Sequence, residues 1–84
     1  MVPCPCCYHE TLTEPAAFEM CPVCWWEDDG QNDSDADVVR GGPNGHLSLT
    51  EARKNFEDFG ASEQGFVGKV RQPLPSEVRT LFSN

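Results

Sequence analysis

Five cysteines in the first 24 residues are the side chains of this sequence best suited to chemistry. Cys4 and Cys7 form one Cys-x-x-Cys pair, and Cys21 and Cys24 form a second pair thirteen residues further on. Two intervening residues make a tight turn in which both sulfurs of a pair converge on one tetrahedral centre. The spacing is that of a zinc ribbon and predicts Zn²⁺ bound by these four thiolates, although a four-thiolate set also suits iron.

Cys6 is the fifth thiol. When "CPCC" is overlaid on "CPVC", Cys6 falls at the position of Val23. Because Cys6 and Cys7 are adjacent, both cannot easily aim at one ion, so we expect Cys6 to be a free thiol beside the site. Two roles stay open for it: a small apolar filler, which is the more common role of a buried free cysteine, or a redox-responsive thiol and replacement ligand.

A closed four-thiolate site predicts structure and not catalysis. Such a site has no open coordination position for water or substrate. Dithiol exchange is also disfavoured, because "CPVC" runs into the acids and turn formers of "WWEDDGQNDSD", whereas redox pairs usually begin a helix that lowers the thiol pKa. No set of nucleophile, base and orienting residue is visible, so we expect a protein that is not an enzyme.

Length and cysteine usage bound the class of protein. A chain of 84 residues is one domain at most, and its core alone gives marginal stability, so a metal staple is expected. No apolar run is long enough to cross a bilayer, and no secretory signal precedes Cys4. An odd number of cysteines fits a reducing compartment. We therefore expect a cytoplasmic protein with no membrane partner.

The formal net charge of −8 is unevenly distributed. Residues 1–51 carry ten acids and one base, while residues 52–84 carry four acids and five bases. Phosphate binding depends on Lys and Arg, so nucleic acid is not an expected partner. A protein with a basic surface is the complementary expectation, and a merely solvated acidic face is the open alternative. The oligomeric state is not predicted.

The residues that follow the second cysteine pair are the candidate partner surface. Trp25 and Trp26 are adjacent, so both cannot easily face one core. We expect one indole to pack against the cysteine site and the other to anchor a partner, as tryptophan often does at binding hot spots. Glu27, Asp28 and Asp29 would supply the acidic part of that surface.

Short elements must position these residues. "ETLTE" over residues 10–14 and "AAFEM" over residues 16–20 predict two short strands of a hairpin. Residues 25–46 are too polar for regular structure and form a long loop, in which Asp33, Asp35 and Asp37 open like a calcium loop. That match fails at its sixth and twelfth positions, Val38 and Asn44.

"LSLTEARKNFEDFG" is the clearest helix. Ser48 and Glu51 have the spacing of a capping box, and Gly60 supplies the stop. Near the C-terminus, "SEVRTLF" has helical spacing behind Ser76. The predicted fold is a small α+β domain over residues 1–72: a zinc-ribbon-like knuckle pair with a short β-hairpin, an acidic loop and one or two packed helices. Residues 73–84 would form an extension that includes a short docking helix.

The ordered motifs "CPCC", "CPVCWWEDDGQ", "DADVVRGGPNG" and "SLTEARKNF" resemble the bacterial cysteine-rich CPCC family over roughly residues 3 to 72. The resemblance implies a small bacterial protein with a zinc-binding fold. It suggests a role as an immunity partner encoded beside a secreted toxin, and it leaves the segment after Pro73 without a role. By position it marks as signature residues Cys4, Cys6, Cys7, Cys21, Cys24, Trp26, Glu27, Asp28 and Asp29.

Overall fold

Two turns of the same shape begin the fold, which a computed structural model describes over residues 1–78. In knuckle 1, residues 4–9, the Tyr8 amide donates to the Cys4 carbonyl (2.8 Å) and the Cys4 amide donates to the His9 carbonyl (2.8 Å). Knuckle 2, residues 21–26, repeats both bonds at 2.8 and 2.9 Å between Cys21, Trp25 and Trp26. The paired Cys-x-x-Cys motifs thus form equivalent turns.

Backbone pairing between extended segments is sparse. Among residues 1–78 the pairing consists of three isolated antiparallel bridges: Val2 with Leu12, Met20 with Glu27, and Val39 with Ser48. The predicted strands 10–14 and 16–20 do not pair with each other, and the hairpin is not confirmed. Pro15, between the two segments, has no amide N–H to donate. Within the second segment, Ala16 and Phe18 have positive φ of 57° and 59°, which interrupts the extended backbone.

Helix α1, Leu49–Phe59, is the predicted helix. Its N-terminus is capped because the Ser48 hydroxyl accepts from the Glu51 amide (3.1 Å), and Gly60 ends it in the left-handed conformation with φ of 86°. Leu49 and Ala52 are fully buried, and Phe56 packs against the same core. The helix therefore covers the knuckles with one apolar face.

Turns connect the remaining segments. In the described part of the chain, the long loop and the segment after α1 contain four 3-10 turns: Asp33–Asp35, Gly42–Asn44, Gln64–Phe66 and Pro75–Glu77. The last turn covers the start of the predicted terminal helix, and residues 79–84 of that prediction lie outside the described residues. No helix among residues 1–78 has the length and apolar character needed to span a bilayer.

The core is unusually rich in sulfur. Of the thirteen buried apolar residues within residues 1–78, five are the cysteines, and the larger side chains among the rest include Leu12, Val23, Trp26 and Leu49. So few large apolar side chains provide little hydrophobic stabilisation for a chain of this size. The cysteines therefore occupy the place that a sheet and its side chains would fill in a larger domain.

The segment 71–77 closes over knuckle 2 through an ion pair. The Arg71 guanidinium forms two bonds to the Glu77 carboxylate (2.9 and 2.8 Å), and the Leu74 amide donates to the same carboxylate (2.9 Å). The Arg71 amide donates to the Pro22 carbonyl (3.1 Å), and the Glu77 carbonyl accepts from the Glu10 amide (2.7 Å). Hydrogen bonds from Arg71 and then Leu74 lower the pKa of Glu77 to about 2.

We expect Glu77→Gln to lower the melting temperature by the same amount at pH 7 and pH 5.5. The folded pKa of about 2 lies below the ordinary 4.5, so the stabilisation by the carboxylate is complete above pH 4.5. It is lost only as the pH falls from about 4.5 towards 2. Thermal unfolding of both proteins at the two pH values tests this expectation. Glu57→Gln, at an exposed position of α1, is the control, and a deficit that shrinks by pH 5.5 would contradict the assignment.

Candidate metal centre

The two knuckles bring four sulfurs to one point. The Sγ atoms of Cys4, Cys7, Cys21 and Cys24 all lie within 4.8 Å of one another. The Cys4 and Cys24 sulfurs are 3.6 Å apart, and the Cys7 and Cys21 sulfurs are 3.7 Å apart. Thiolates about 2.3 Å from a metal at the corners of a regular tetrahedron lie about 3.8 Å from each other. The four predicted ligands are thus grouped at distances that suit a tetrahedral metal ion.

The centre is closed to solvent. Cys4, Cys21 and Cys24 are 0% exposed and Cys7 is 7% exposed. A metal ion held among these sulfurs would have protein on every side, with no face through which a substrate could reach it. The burial therefore fits the structural class of metal site.

Two hydrogen bonds support the sulfurs from outside the quartet. The Cys6 amide points at the Cys4 sulfur (3.4 Å), as the tight turn of the motif predicts. The Thr11 hydroxyl donates to the Cys21 sulfur (3.0 Å) and links the segment after knuckle 1 to knuckle 2. Such outer contacts orient the ligands and disperse thiolate charge. Sequence reasoning missed Thr11, because no local pattern relates it to a cysteine ten residues away.

The grouping also separates the thiol pKa values. Hydrogen bonds from Cys24, Cys4 and Cys7, with the Thr11 hydroxyl, hold the pKa of Cys21 far below its ordinary value. The bond to Cys21 in turn raises the pKa values of Cys7 and Cys24, because a second negative charge would lie next to the first. Four thiolates need a cation to coexist here, so metal binding displaces protons from the cluster.

Cys6 lies outside the quartet but inside the protein. Its side chain is 2% exposed, as is that of Val23 at the equivalent position of knuckle 2. Both residues belong to the same buried cluster as the four ligand candidates. Oxidants react with exposed, low-pKa thiols, so this burial favours the filler role over the redox role.

The predicted partner surface is divided by the fold. Trp26 is 0% exposed and packs in the core with the cysteines, whereas Trp25 is half-buried with its ring 6.5 Å from that of Phe66. The Asp28 side chain is inside as well, where its carboxylate accepts from the Ala16 and Gly30 amides (2.8 and 3.2 Å). As a correction, Trp26 and Asp28 are not surface anchors, because folding already uses their side chains.

The Asp29 carboxylate also has partners within the chain. Its carboxylate accepts from the Gln31 amide (3.1 Å) and lies 3.6 Å from the Arg40 guanidinium, and its side chain is 6% exposed. Glu27 is held differently, since the Asn44 side chain binds its backbone amide and carbonyl (3.1 and 2.7 Å), and the residue is half-buried. Of the predicted surface, Trp25 and Glu27 are the residues that a partner can reach.

The aspartates of the long loop do not converge on a cation. Asp33 pairs with Arg53 (2.7 Å), Asp35 accepts from the Asn32 amide (2.8 Å), and Asp37 accepts from the Thr50 hydroxyl. Within residues 1–78, the cysteine quartet is the group of candidate ligands that comes together around one point. The loop's acids therefore tie the loop to the helix and to itself.

The family model described as "Cysteine-rich CPCC" matches residues 2–77. The match covers both knuckles, α1 and the closing segment, so the chain belongs to this family. The match extends past residue 72, where the motifs that carry the resemblance end. It therefore includes Glu77, the ion-pair partner of Arg71. No curated protein sequence matches the chain significantly.

We expect Cys24→Ser to abolish stoichiometric metal binding and to unfold the knuckles. Metal binding contributes about 10 to 16 kcal/mol in small structural sites, which is as large as the whole stability of an ordinary domain. Cys6→Ala should keep the metal and cost about 1 kcal/mol, since it removes one small buried group outside the quartet. Native mass spectrometry and circular dichroism of the two variants measure both outcomes.

The same pair tests the redox role of Cys6. Peroxide-driven metal release should proceed at the same rate in Cys6→Ala as in the unmodified protein. A rate that falls sharply in Cys6→Ala would show that Cys6 is the sensing thiol, and loss of metal from resting Cys6→Ala would show that it is a ligand.

Proposed function

We propose that this member of the cysteine-rich CPCC family is a zinc-stapled, non-enzymatic module that binds another protein through an acidic surface bearing Trp25. The single observation that carries the proposal is the closed sulfur quartet, in which three of the four sulfurs belong to residues that are 0% exposed. A metal in that position holds the knuckles together. Because it has no open coordination position for a substrate, the binding of a partner is assigned to the outer surface.

Zinc is the metal that the ligand set favours. Four cysteines, sulfur separations of 3.6 and 3.7 Å and full enclosure match a structural zinc site. Iron is the competing ion for a tetrahedral four-sulfur site. The cytoplasm, where thiols stay reduced, is the compartment in which such a site forms without competing disulfides.

A basic protein surface is the partner that the charge favours. Four of the six Lys and Arg residues pair with carboxylates of the chain itself: Arg40, Arg53, Lys54 and Arg71. Few cations are then free to contact phosphate, which argues against nucleic acid. Opposite charge on a partner speeds its encounter with this chain. An immunity protein that masks a basic surface of a toxin is the most specific form of the proposal.

Purified protein should carry one zinc ion per chain and be colourless. A chelator that removes the ion should unfold the knuckles, because too few apolar side chains remain to hold them together. Native mass spectrometry before and after chelation, with circular dichroism in parallel, provides the measurement. A red protein would indicate iron, and a chain that stays folded without metal would contradict the staple.

The partner is to be sought among purified proteins encoded beside this gene. The association rate constant should fall as salt rises from 50 to 500 mM, because screening weakens the attraction between the acidic chain and a basic surface. Glu27→Gln should slow association, and Glu57→Gln on the exposed side of α1 is the matched control. Surface plasmon resonance measures the rates, and salt-insensitive binding, or none to any neighbouring product, would contradict the proposal.

A further inference from the structure

A small aromatic cleft lies on the outer side of knuckle 2. Trp25, Phe66 and Met20 line it, and its volume is about 220 Å³. The ring centroids of Trp25 and Phe66 are 6.5 Å apart, and the ring planes are inclined at 56°. Met20 is 41% exposed. Pockets for drug-sized ligands hold roughly 300 to 1,000 Å³. This cleft is smaller, and its size suits one side chain of another molecule.

Carboxylates provide the charge of the cleft. Glu27 and Glu63 both line it, and no lysine or arginine stands among the lining residues that the structure describes. Asn44 fixes the backbone of Glu27 on both sides, so the position of this residue is set before any ligand arrives. His46 lies 3.9 Å from the Glu63 carboxylate and is charged only when protonated. The cleft thus combines aromatic faces with negative charge.

Knuckle 1 shows what an equivalent aromatic residue does within this protein. Tyr8 stands at the position of Trp25, with the same backbone bond to the first cysteine of its knuckle. The Arg53 guanidinium lies over the Tyr8 ring, 5.2 Å from its centroid, and pairs with Asp33 at 2.7 Å. An aromatic ring, a cation and a carboxylate are assembled there from the chain itself. Knuckle 2 has the ring and the carboxylates.

Tyr8 and Trp25 also share a backbone conformation, which Ala16 and Phe18 adopt between the knuckles. Tyr8 and Trp25 have φ of 67° and 72°, in the left-handed region that glycine and asparagine adopt most readily. A bulky ring is costly at such a position and offers the turn no advantage over glycine. A cost that recurs at equivalent positions of two matching turns suggests a function for the ring. For Tyr8 that function is visible in the cation it holds.

We propose that the cleft formed by Trp25, Phe66, Glu27 and Glu63 binds a single arginine side chain of the partner protein. The inference deepens the proposed function and rests on it. A guanidinium stacks on an indole face and bonds to carboxylates in one plane, and tryptophan is the aromatic residue that attracts cations most strongly. The arginine of the partner would repeat in knuckle 2 the arrangement that Arg53 makes in knuckle 1.

The test uses the zinc-loaded full chain and the peptide acetyl-Ala-Ala-Arg-Ala-Ala-amide. In the matched control peptide citrulline replaces arginine, which keeps the shape and removes the charge. We expect the arginine peptide to shift the Trp25 indole N–H signal saturably in nuclear magnetic resonance spectra, with the buried Trp26 indole as an internal reference. The citrulline peptide should bind at least about tenfold more weakly than the arginine peptide. The affinity of a lysine peptide should lie between these two.

Single variants of the chain show which residues bind the arginine peptide. Trp25→Asn should fold normally, because asparagine tolerates positive φ, and should weaken the arginine peptide about tenfold. Tyr8→Asn makes the same change at the equivalent position of knuckle 1 and should leave peptide affinity unchanged. Glu27→Gln and Glu63→Gln should each weaken binding severalfold, with Glu57→Gln as the neutral control.

Several results would overturn the inference. Equal affinity for the arginine and citrulline peptides would show that the cleft recognises shape and not positive charge. Tighter binding of the lysine peptide would exclude specific recognition of a guanidinium. Equal losses in Trp25→Asn and Tyr8→Asn, or no saturable shift at Trp25, would place binding elsewhere. The inference can fail without the proposed function. A partner that binds Trp25→Asn with full affinity and unchanged salt dependence would remove the cleft and leave binding through the acidic surface standing.

Discussion

The convergence of four buried sulfurs is the constraint on which the rest of this structure depends. Pairing between extended segments amounts to isolated bridges in residues 1–78, and the single α-helix there has eleven residues. Neither could hold the long loop in place without a common anchor. The quartet supplies it, because each knuckle brings two sulfurs and the core forms around them. A metal ion bound among these sulfurs would act as a covalent cross-link does.

Internal repetition explains much of the remaining architecture. The two knuckles share their backbone bonds, their proline after the first cysteine and an aromatic residue with positive φ. They differ in what covers that aromatic ring. In knuckle 1 the ring lies against Arg53 of α1, while in knuckle 2 it lines an open cleft with Phe66. The equivalent ring thus contacts a cation of the same chain in one knuckle and lines a cleft without a lysine or arginine in the other, while the Tyr8 ring itself stays exposed.

Net charge and available charge are different quantities in this protein. The formal charge of −8 predicts a broad acidic surface, yet Asp28, Asp29, Asp33 and Asp37 bond to groups within the chain. These carboxylates accept from backbone amides, pair with arginine or, in Asp37, accept from the Thr50 hydroxyl, as polar groups in a loop must when the loop packs against a core. The acidic surface that stays exposed includes Glu14, Glu51 and Glu57, which lie away from Trp25 in the sequence.

The sequence by itself determined the features that depend on local spacing. The ligand quartet follows from two Cys-x-x-Cys turns, the separation of Cys6 follows from its overlap with Val23, and α1 follows from Ser48, Gly60 and the apolar stripe between them. Each of these relations spans a few residues and needs no knowledge of the rest of the chain. The tertiary structure decided which indole is buried, which acids are occupied and that Thr11 supports Cys21. It also replaced the expected hairpin by isolated bridges. These outcomes depend on how segments far apart in sequence approach one another around the sulfurs, and composition and periodicity do not encode that approach.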